Sequence, residues 1–290
     1  MSEGHRGADV GSVSRSTNHP YGVWEMALGR PRPALAADVI GFSGLTSNLS
    51  VFAEQHMPSG EAALLINLGE PHRVALDHAP DVVIGHASVM LMGVFDRPFV
   101  SLSRGRKHQI LVRLRPAAVR RLLGVSMADH TNRWTDLQDV EGGFARDLVG
   151  RVSGHRDWES RFRAVEEVIG RQLSDAARGP DVAAWAWEEM RRAGGTVGIA
   201  SIAEAAGYSH KQLISRFHAD IGVAPKTAAR LLRFNRVLRG MRRLKAAPGA
   251  SHAYDYGYAD QAHMITEFRR FAGAPPSAIV RQAVGYTLRA

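Results

Sequence analysis

The sequence predicts an α+β chain. A β-rich, barrel- or cupin-like N-terminal domain carries a helical extension, and an all-α domain of two helix-turn-helix units joined by a long helix follows. Three observations carry that prediction. Short apolar runs punctuated by Gly and Pro fill residues 21–114, the spacing of a sandwich or barrel. From Pro116 onward the apolar period changes from two to that of a helix. One helix-turn-helix pattern then occurs twice in the last third.

The elements follow in order. Residues 1–20 hold no apolar segment of the kind a secretory signal needs and read as a flexible polar tail. In 21–125, the β-rich domain, strands are expected at 23–28, 63–68, 81–85, 99–102 and 109–114. Pro116 suits a first helical turn, and Gly124 a C-cap. Residues 126–180 form a helical extension. There Trp158, Phe162, Val165 and Ile169 make a stripe at helical spacing, which packs on its own domain more readily than it seams a dimer. Gly179-Pro180 marks the boundary before 181–290. In that last domain Asp181 caps a helix ended by Gly194-Gly195, and a helix at 199–206 ends at Gly207. Ser209 caps the next, Pro225 opens a long helix to about 245, a weaker helix spans 250–256, and Asp260 caps a helix that ends at Gly273. A last short helix begins at Pro275-Pro276.

Composition narrows the function. The 290 residues include no cysteine, so thiol nucleophiles, disulfides and zinc–thiolate or iron–sulfur sites are excluded. No apolar run approaches the roughly 20 residues needed to cross a bilayer. A cysteine-free chain of this kind fits a cytoplasmic location. The net charge of +9 is concentrated at one end: residues 181–290 hold 16 Lys+Arg against 8 Asp+Glu, residues 1–180 hold 21 against 20. A basic block beside a near-neutral one points to a polyanionic partner for the former. There are 13 histidines; His56, His72, His78, His86 and His108 fall in the β-rich half without metal-ligand spacing, so no metal is expected. No phosphate loop or nucleophile elbow is present, so neither a cofactor nor a catalytic residue is expected, and the chain is not read as an enzyme.

The repeat supplies the mechanism. AlaGluAlaAlaGlyTyrSer at 203–209 precedes Leu213 and Phe217, and AlaTyrAspTyrGlyTyrAla at 253–259 precedes Met264 and Phe268, the apolar pairs being offset by 51 positions. In a helix-turn-helix the second helix lies in the major groove. The connecting helix of about 20 residues is roughly 30 Å long, close to one turn of B-DNA. Two reading helices on such a rod reach successive major grooves.

On helical wheels, Leu213 and Phe217 face inward in the first reading helix, leaving Lys211, Gln212, Ser215 and His218 as base-reading candidates, with Arg216 on the flank for phosphate. In the second, Met264, Phe268 and Phe271 face inward, leaving Ala262, His263, Thr266 and Arg270 to read, and Arg269 for phosphate. On the connecting helix Arg230, Arg233 and Arg236 are phosphate candidates. Lys211 suits guanine, Gln212 adenine, and Ala262 and the Thr266 methyl a thymine methyl.

At these residues the chain resembles the AraC/XylS family of bacterial transcription regulators. The resemblance rests on IleAlaGluAlaAlaGlyTyrSer, Leu213, Phe217, Gly222 with Pro225, and above all the stretch 257–276, GlyTyrAlaAspGlnAlaHisMetIleThrGluPheArgArgPheAlaGlyAlaProPro. It covers about 100 C-terminal residues, with a weaker likeness at 57–69 and 113–125 to the sensor half of one subgroup. It implies an activator or repressor that binds double-stranded DNA at operators or promoters. RNA polymerase is an implied partner, and control is expected through a small effector or homodimerisation at the N-terminal domain, whose effector-contacting residues are left unknown. The chain departs from the family at His252, usually aliphatic, at Tyr256, usually small, and at Ser215, where close relatives often carry arginine. Two other functions stay open at this point: a non-specific architectural DNA-binding protein, and a ligand-binding or enzyme-like N-terminal domain beside a vestigial DNA-binding one. Trp24, Phe42, Phe52, Phe95 and Phe99 are aromatic enough to line a pocket in the N-terminal domain, although ordinary core packing is the better reading of each.

Overall fold

The computed structural model describes residues 9–19, 22–48, 51–77, 79–175, 181–244 and 252–279. The expected boundary at 179–180 lies outside them. So do His78 and the end of the last expected helix, of which 276–279 are helical.

Eleven strands are assigned among the described residues: β1 (Asp9–His19), β2 (Gly22–Arg30), β3 (Val39–Ser47), β4 (Val51–His56), β5 (Ala62–Asn67), β6 (His72–Leu76), β7 (Ala79–Ile84), β8 (Ser88–Met92), β9 (Phe99–Arg104), β10 (Lys107–Leu114) and β11 (Trp134–Asp136). They form a seven-stranded sheet in the order β1-β2-β3-β10-β5-β8-β11 and a four-stranded sheet in the order β4-β9-β6-β7. Every pairing is antiparallel. The helices are α1 (Pro116–Leu123), α2 (Gln138–Ser153), α3 (Trp158–Asp175), α4 (Val182–Arg192), α5 (Ile199–Ala205), α6 (His210–Ile221), α7 (Pro225–Leu244), α8 (His252–Asp255) and α9 (Gln261–Ala272).

β5 shows why the larger sheet reads as an uninterrupted apolar run. All six of its residues are buried, because side chains of opposite parity enter two different cores. Leu64 and Ile66 join the core under the helices. Leu65 points the other way and packs with Val74, Ile84 and Met90 between the two sheets.

Two expectations change here. Residues 9–19 are not a free tail: they pair along β2 from Asp9↔Arg30 to His19↔Gly22. An edge strand draws its stability from backbone hydrogen bonds, so its sequence need not show apolar alternation. Nor is 126–180 only an extension. β11 joins the sheet beside β8, and α3 lies across its outer face. Phe162 and Trp158 of α3 sit against Gly29 of β2 and Gly44 of β3, where an added Cβ would come within 2.5 and 2.3 Å of the rings. Trp158 Nε1 donates to Glu25 at 2.7 Å. The stripe Trp158, Phe162, Val165, Ile169 is therefore core of its own domain.

The C-terminal helices follow the expected caps closely. Asp181 accepts from Ala184 N, Ser209 from Gln212 N and Asp260 from His263 N. Gly124, Gly194, Gly195, Gly207, Gly222, Gly257 and Gly273 all hold positive φ, which only glycine adopts without strain.

The two domains share one apolar core. It runs from Leu64 and Val112 of the sheet through Leu122 and Met127 to Trp187, Phe217 and Phe234 of the helical domain. The C-terminal end of α6 docks on the 3-10 turn at Met127–His130: Thr131 Oγ1 donates to Gly222 O at 2.6 Å, Ser126 Oγ to Ala219 O at 3.2 Å, and Arg120 to Asp220 at 2.6 Å.

Candidate nucleic-acid interface

The two halves of the repeat superpose as hydrogen-bond patterns. In the first, Gly207 N donates to Glu204 O at 3.0 Å and Tyr208 N to Ala203 O at 3.0 Å; in the second, Gly257 N donates to Tyr254 O at 2.9 Å and Tyr258 N to Ala253 O at 3.0 Å. Each unit then presents a capped helix of 12 residues closed by a left-handed glycine. Leu213, Phe217 and Ile221 are buried under α6, and Met264, Phe268 and Phe271 under α9. Phe234 of α7 is the floor of the second unit, 4.8 Å from Phe268 and 5.4 Å from Phe271 between ring centroids.

The opposite faces are open. Lys211, Gln212, Ser215, Arg216 and His218 are exposed on α6, and Ala262, His263, Thr266, Arg269 and Arg270 on α9. Within that surface the structure sorts the candidates. Lys211, Ser215 and His218 present free ends to solvent. Gln212 is engaged: its Oε1 accepts from Ser209 N at 3.0 Å and from Ser209 Oγ at 2.9 Å, closing a capping box. A bidentate grip on adenine needs that oxygen, so Gln212 acts first as a cap. His263 is folded back, its Nε2 3.7 Å from Glu267 and its ring edge-on to Tyr258. Thr266 spends its hydroxyl on Ala262 O at 2.9 Å. Arg270 leans toward the regulatory domain, 3.7 Å from Asp96, a carboxylate also bonded by Asn132 at 2.9 Å. Arg216 lies 5.0 Å over the Tyr208 ring.

The arginines of α7 divide. Arg230 and Arg233 face inward, where both pair with the buried carboxylate of Glu267 on α9. Arg233 is only 15% exposed; it donates to Gly195 O at 2.8 Å and covers Tyr258. Burial, reinforced by the Glu267 charge, pushes the Tyr258 phenol well above its ordinary range. Of the phosphate candidates, Arg230 and Arg233 are thus drawn toward one carboxylate, which offsets only one of their two charges. Sequence reasoning passed over Glu267, and a carboxylate on the apolar side of a reading helix was the signal available. Arg236, by contrast, is exposed, as expected of a phosphate ligand.

In the regulatory domain the two sheets enclose a cavity of about 140 Å³ whose lining includes His56, Glu61, Phe95, Phe99, Leu111 and Arg113. Phe95 and Phe99 are thus wall residues. Phe42 instead stacks on Phe162 in the helix-side core, Trp24 lies at the sheet margin opposite Ser47, and the Phe52 side chain lies outside the described residues. Among the described residues no cluster of three or more metal-ligating groups forms.

With this geometry in view, the comparisons bear on the same segments. Residues 202–282 match the family model described as a helix-turn-helix domain. The segment that holds both repeat units is thus similar to helix-turn-helix domains. Residues 29–136 match a domain of unknown function, DUF6597. No curated protein matches the chain. Among solved structures, ToxT from Vibrio cholerae is 12% identical with a TM-score of 0.44, over 80% of this chain and 98% of that one. The AraC-like transcriptional activator CuxR is 12% identical with a TM-score of 0.32, over 79% and 86%. A predicted oxalate decarboxylase from Thermotoga maritima is 16% identical with a TM-score of 0.27, over 37% and 93%.

Proposed function

We propose that this chain is a DNA-binding transcription regulator of the AraC type, that it reads two successive major-groove segments through α6 and α9, and that its N-terminal domain governs the reading. The observation that carries the first part is the pairing of two like-capped helices, each buried on one side and open on the other, on the single 20-residue rod of α7. At 1.5 Å per residue that rod is about 30 Å long, which suits one helical turn of DNA. Lys211, Ser215 and His218 are the base readers of the first segment, and Ala262, Thr266 and Arg270 of the second. Footprinting on the chain's genomic targets tests this: two protected boxes about one helical turn apart are expected. A single box, or coating regardless of sequence, would refute it.

A specific loop supports effector control. Residues 57–59 and Glu61 line the cavity between the sheets, and the same loop holds the helical domain. Asn235 of α7 donates to Pro58 O at 3.1 Å and Ser59 O at 3.2 Å, and Gly60 abuts Trp187 of α4. Burial raises the Glu61 carboxyl above its ordinary range, against the pull of Arg113, Arg115 and Arg239. A compact small molecule that shifts Glu61 or Arg113 therefore moves the loop on which α7 rests. Effector-dependent change in operator affinity, abolished by Asn235→Ala, is the expected result. Among the described residues no helix is long and apolar enough to cross a membrane, and the cytoplasm is where such a regulator would meet DNA.

A further inference from the structure

Many arginines in this molecule are paired with a carboxylate. A groove of about 810 Å³ between α1, α3 and α4 is lined by Arg32, Arg121, Arg151 and Arg171. Each is paired, with Glu166, Asp38, Asp147 and Asp147 respectively. Arg230 and Arg233 share Glu267. Other described arginines, Arg106 and Arg216 among them, have no ion pair with a described residue, and three of the unpaired ones are gathered in one place. Arg236, Arg239 and Arg243 stand at i, i+3 and i+7, which is one stripe of α7, and all three are exposed. They converge on a cavity of about 380 Å³ completed by Gly240, Asp255 and Tyr256. None of the three forms an ion pair with a described residue, although Arg239 also acts on the Glu61 carboxyl; Asp255 is the one acid among the described lining residues, so the cavity carries an excess of positive charge.

Tyr256 gives that cavity a built wall. Its hydroxyl oxygen lies 2.4 Å from where a Cβ on residue 240 would stand, so Gly240 is what lets the ring lie against α7. Arg236 stacks over that ring at 5.4 Å, an arrangement that holds a guanidinium in place and leaves its donors free. The departure from the family at Tyr256 thus has a partner in Gly240. Like charges gathered around one cavity repel, and an anion with several acceptor oxygens reverses the sign of that interaction.

We propose that Arg236, Arg239 and Arg243, walled by Tyr256, form a phosphate-binding site that takes a backbone phosphate of the duplex between the two segments met by α6 and α9. The site sits on the rod that joins the two helix-turn-helix units and against α8, which opens the second. It rests on the DNA-binding reading above. A phosphate contact positions the protein without reading sequence, so this site contributes affinity and salt dependence and leaves base preference alone.

The test uses the full chain. Arg239→Gln and the double variant Arg236→Gln/Arg243→Gln change exposed side chains, and thermal melting verifies their fold. Each lost contact is expected to lower the salt slope by about 1 and to weaken matched and scrambled duplexes by the same factor. A single neutral methylphosphonate placed in the spacer should weaken wild type and leave the double variant unaffected. Wild-type slopes in both variants, or loss confined to matched DNA, would overturn the assignment. Inorganic phosphate titrated into DNA-free protein is the second arm. A heat signal removed by the variants while their DNA slope stays at wild type would assign the site to free phosphate and overturn its role on DNA. If wild type shows no preference for paired boxes, the sequence-reading proposal fails by itself, because the arginine-dependent slope on scrambled duplex still decides this site.

Discussion

Arg233 and Lys211 carry the same charge in opposite surroundings, and their replacement should fail in opposite ways. Arg233 bonds Gly195 O, stacks on Tyr258 and pairs with a carboxylate that is 1% exposed. Arg233→Ala therefore leaves a buried Glu267 short of one of its two cations, and breaking a buried pair costs roughly 3–5 kcal/mol. The expected outcome is a lower melting temperature with an unchanged salt slope of DNA binding. Lys211→Ala should leave the melting temperature alone and relax base preference, since one good base contact is worth about 1–3 kcal/mol of discrimination. Parallel melting curves and binding isotherms on matched and scrambled operators separate the two effects. His108 adds a pH dependence. Its Nδ1 meets Thr46 at 2.8 Å and its Nε2 meets Arg161 at 2.5 Å. Burial first, and the Arg161 charge second, hold the imidazole below its ordinary pKa of 6.5. A folded pKa below the unfolded one gives stability that is complete above pH 6.5 and is lost as pH falls through the folded value. His72 and His130 are shifted the same way by burial. Melting temperatures should thus decline from pH 8 toward pH 5.5, and His108→Asn should make the decline shallower without removing it.

At the scale of elements, α3 shows what packing demands of the sheet beneath it. Trp158 can lie on β3 only because residue 44 has no side chain. Gly44→Val should lever α3 off the sheet, with the 1–3 kcal/mol cost usual for overpacking as a minimum. Calorimetry would show this as a lowered transition, and the Trp158 fluorescence should shift red. The same element marks how far the sequence could be read. The apolar stripe of α3, the caps at Asp181, Ser209 and Asp260, and the terminating glycines are local signals, each with its mechanism within four residues, and all were legible. β3, β4, β6 and β8 were not: AspValIleGlyPheSerGly around β3 and HisArgValAlaLeu of β6 carry weak or interrupted alternation, and their pairing is decided by distant partners. The inward turn of Arg230 and Arg233 was hidden for a related reason. A helical wheel places both on a flank, and only the position of Glu267, 37 and 34 residues downstream, says which side of that flank is buried. Gln212 has a second use as a cap, which a helical wheel does not weigh.

Over the whole molecule, one apolar core continues across the junction between domains. Trp187, 5% exposed, stands at its centre, between Gly60 of the regulatory loop and Phe217 under the first reading helix at 6.3 Å. Such a continuous core makes the halves unfold together, since neither can lose its packing without exposing the other. It also makes Trp187 a direct physical link from the loop at 57–61 to α6. Trp187→Ala removes a large side chain from that junction, at about 3–5 kcal/mol. Wild type should melt in one calorimetric transition whose van't Hoff and calorimetric enthalpies agree. The variant should melt in two, with the first reporting the less stable half. DNA affinity should then become insensitive to substitutions around the cavity such as Glu61→Gln, because the loop no longer has anything to push against. A single transition in Trp187→Ala, with operator affinity still responsive to Glu61→Gln, would mean that the polar contacts of Asn235 and Arg120 couple the domains by themselves.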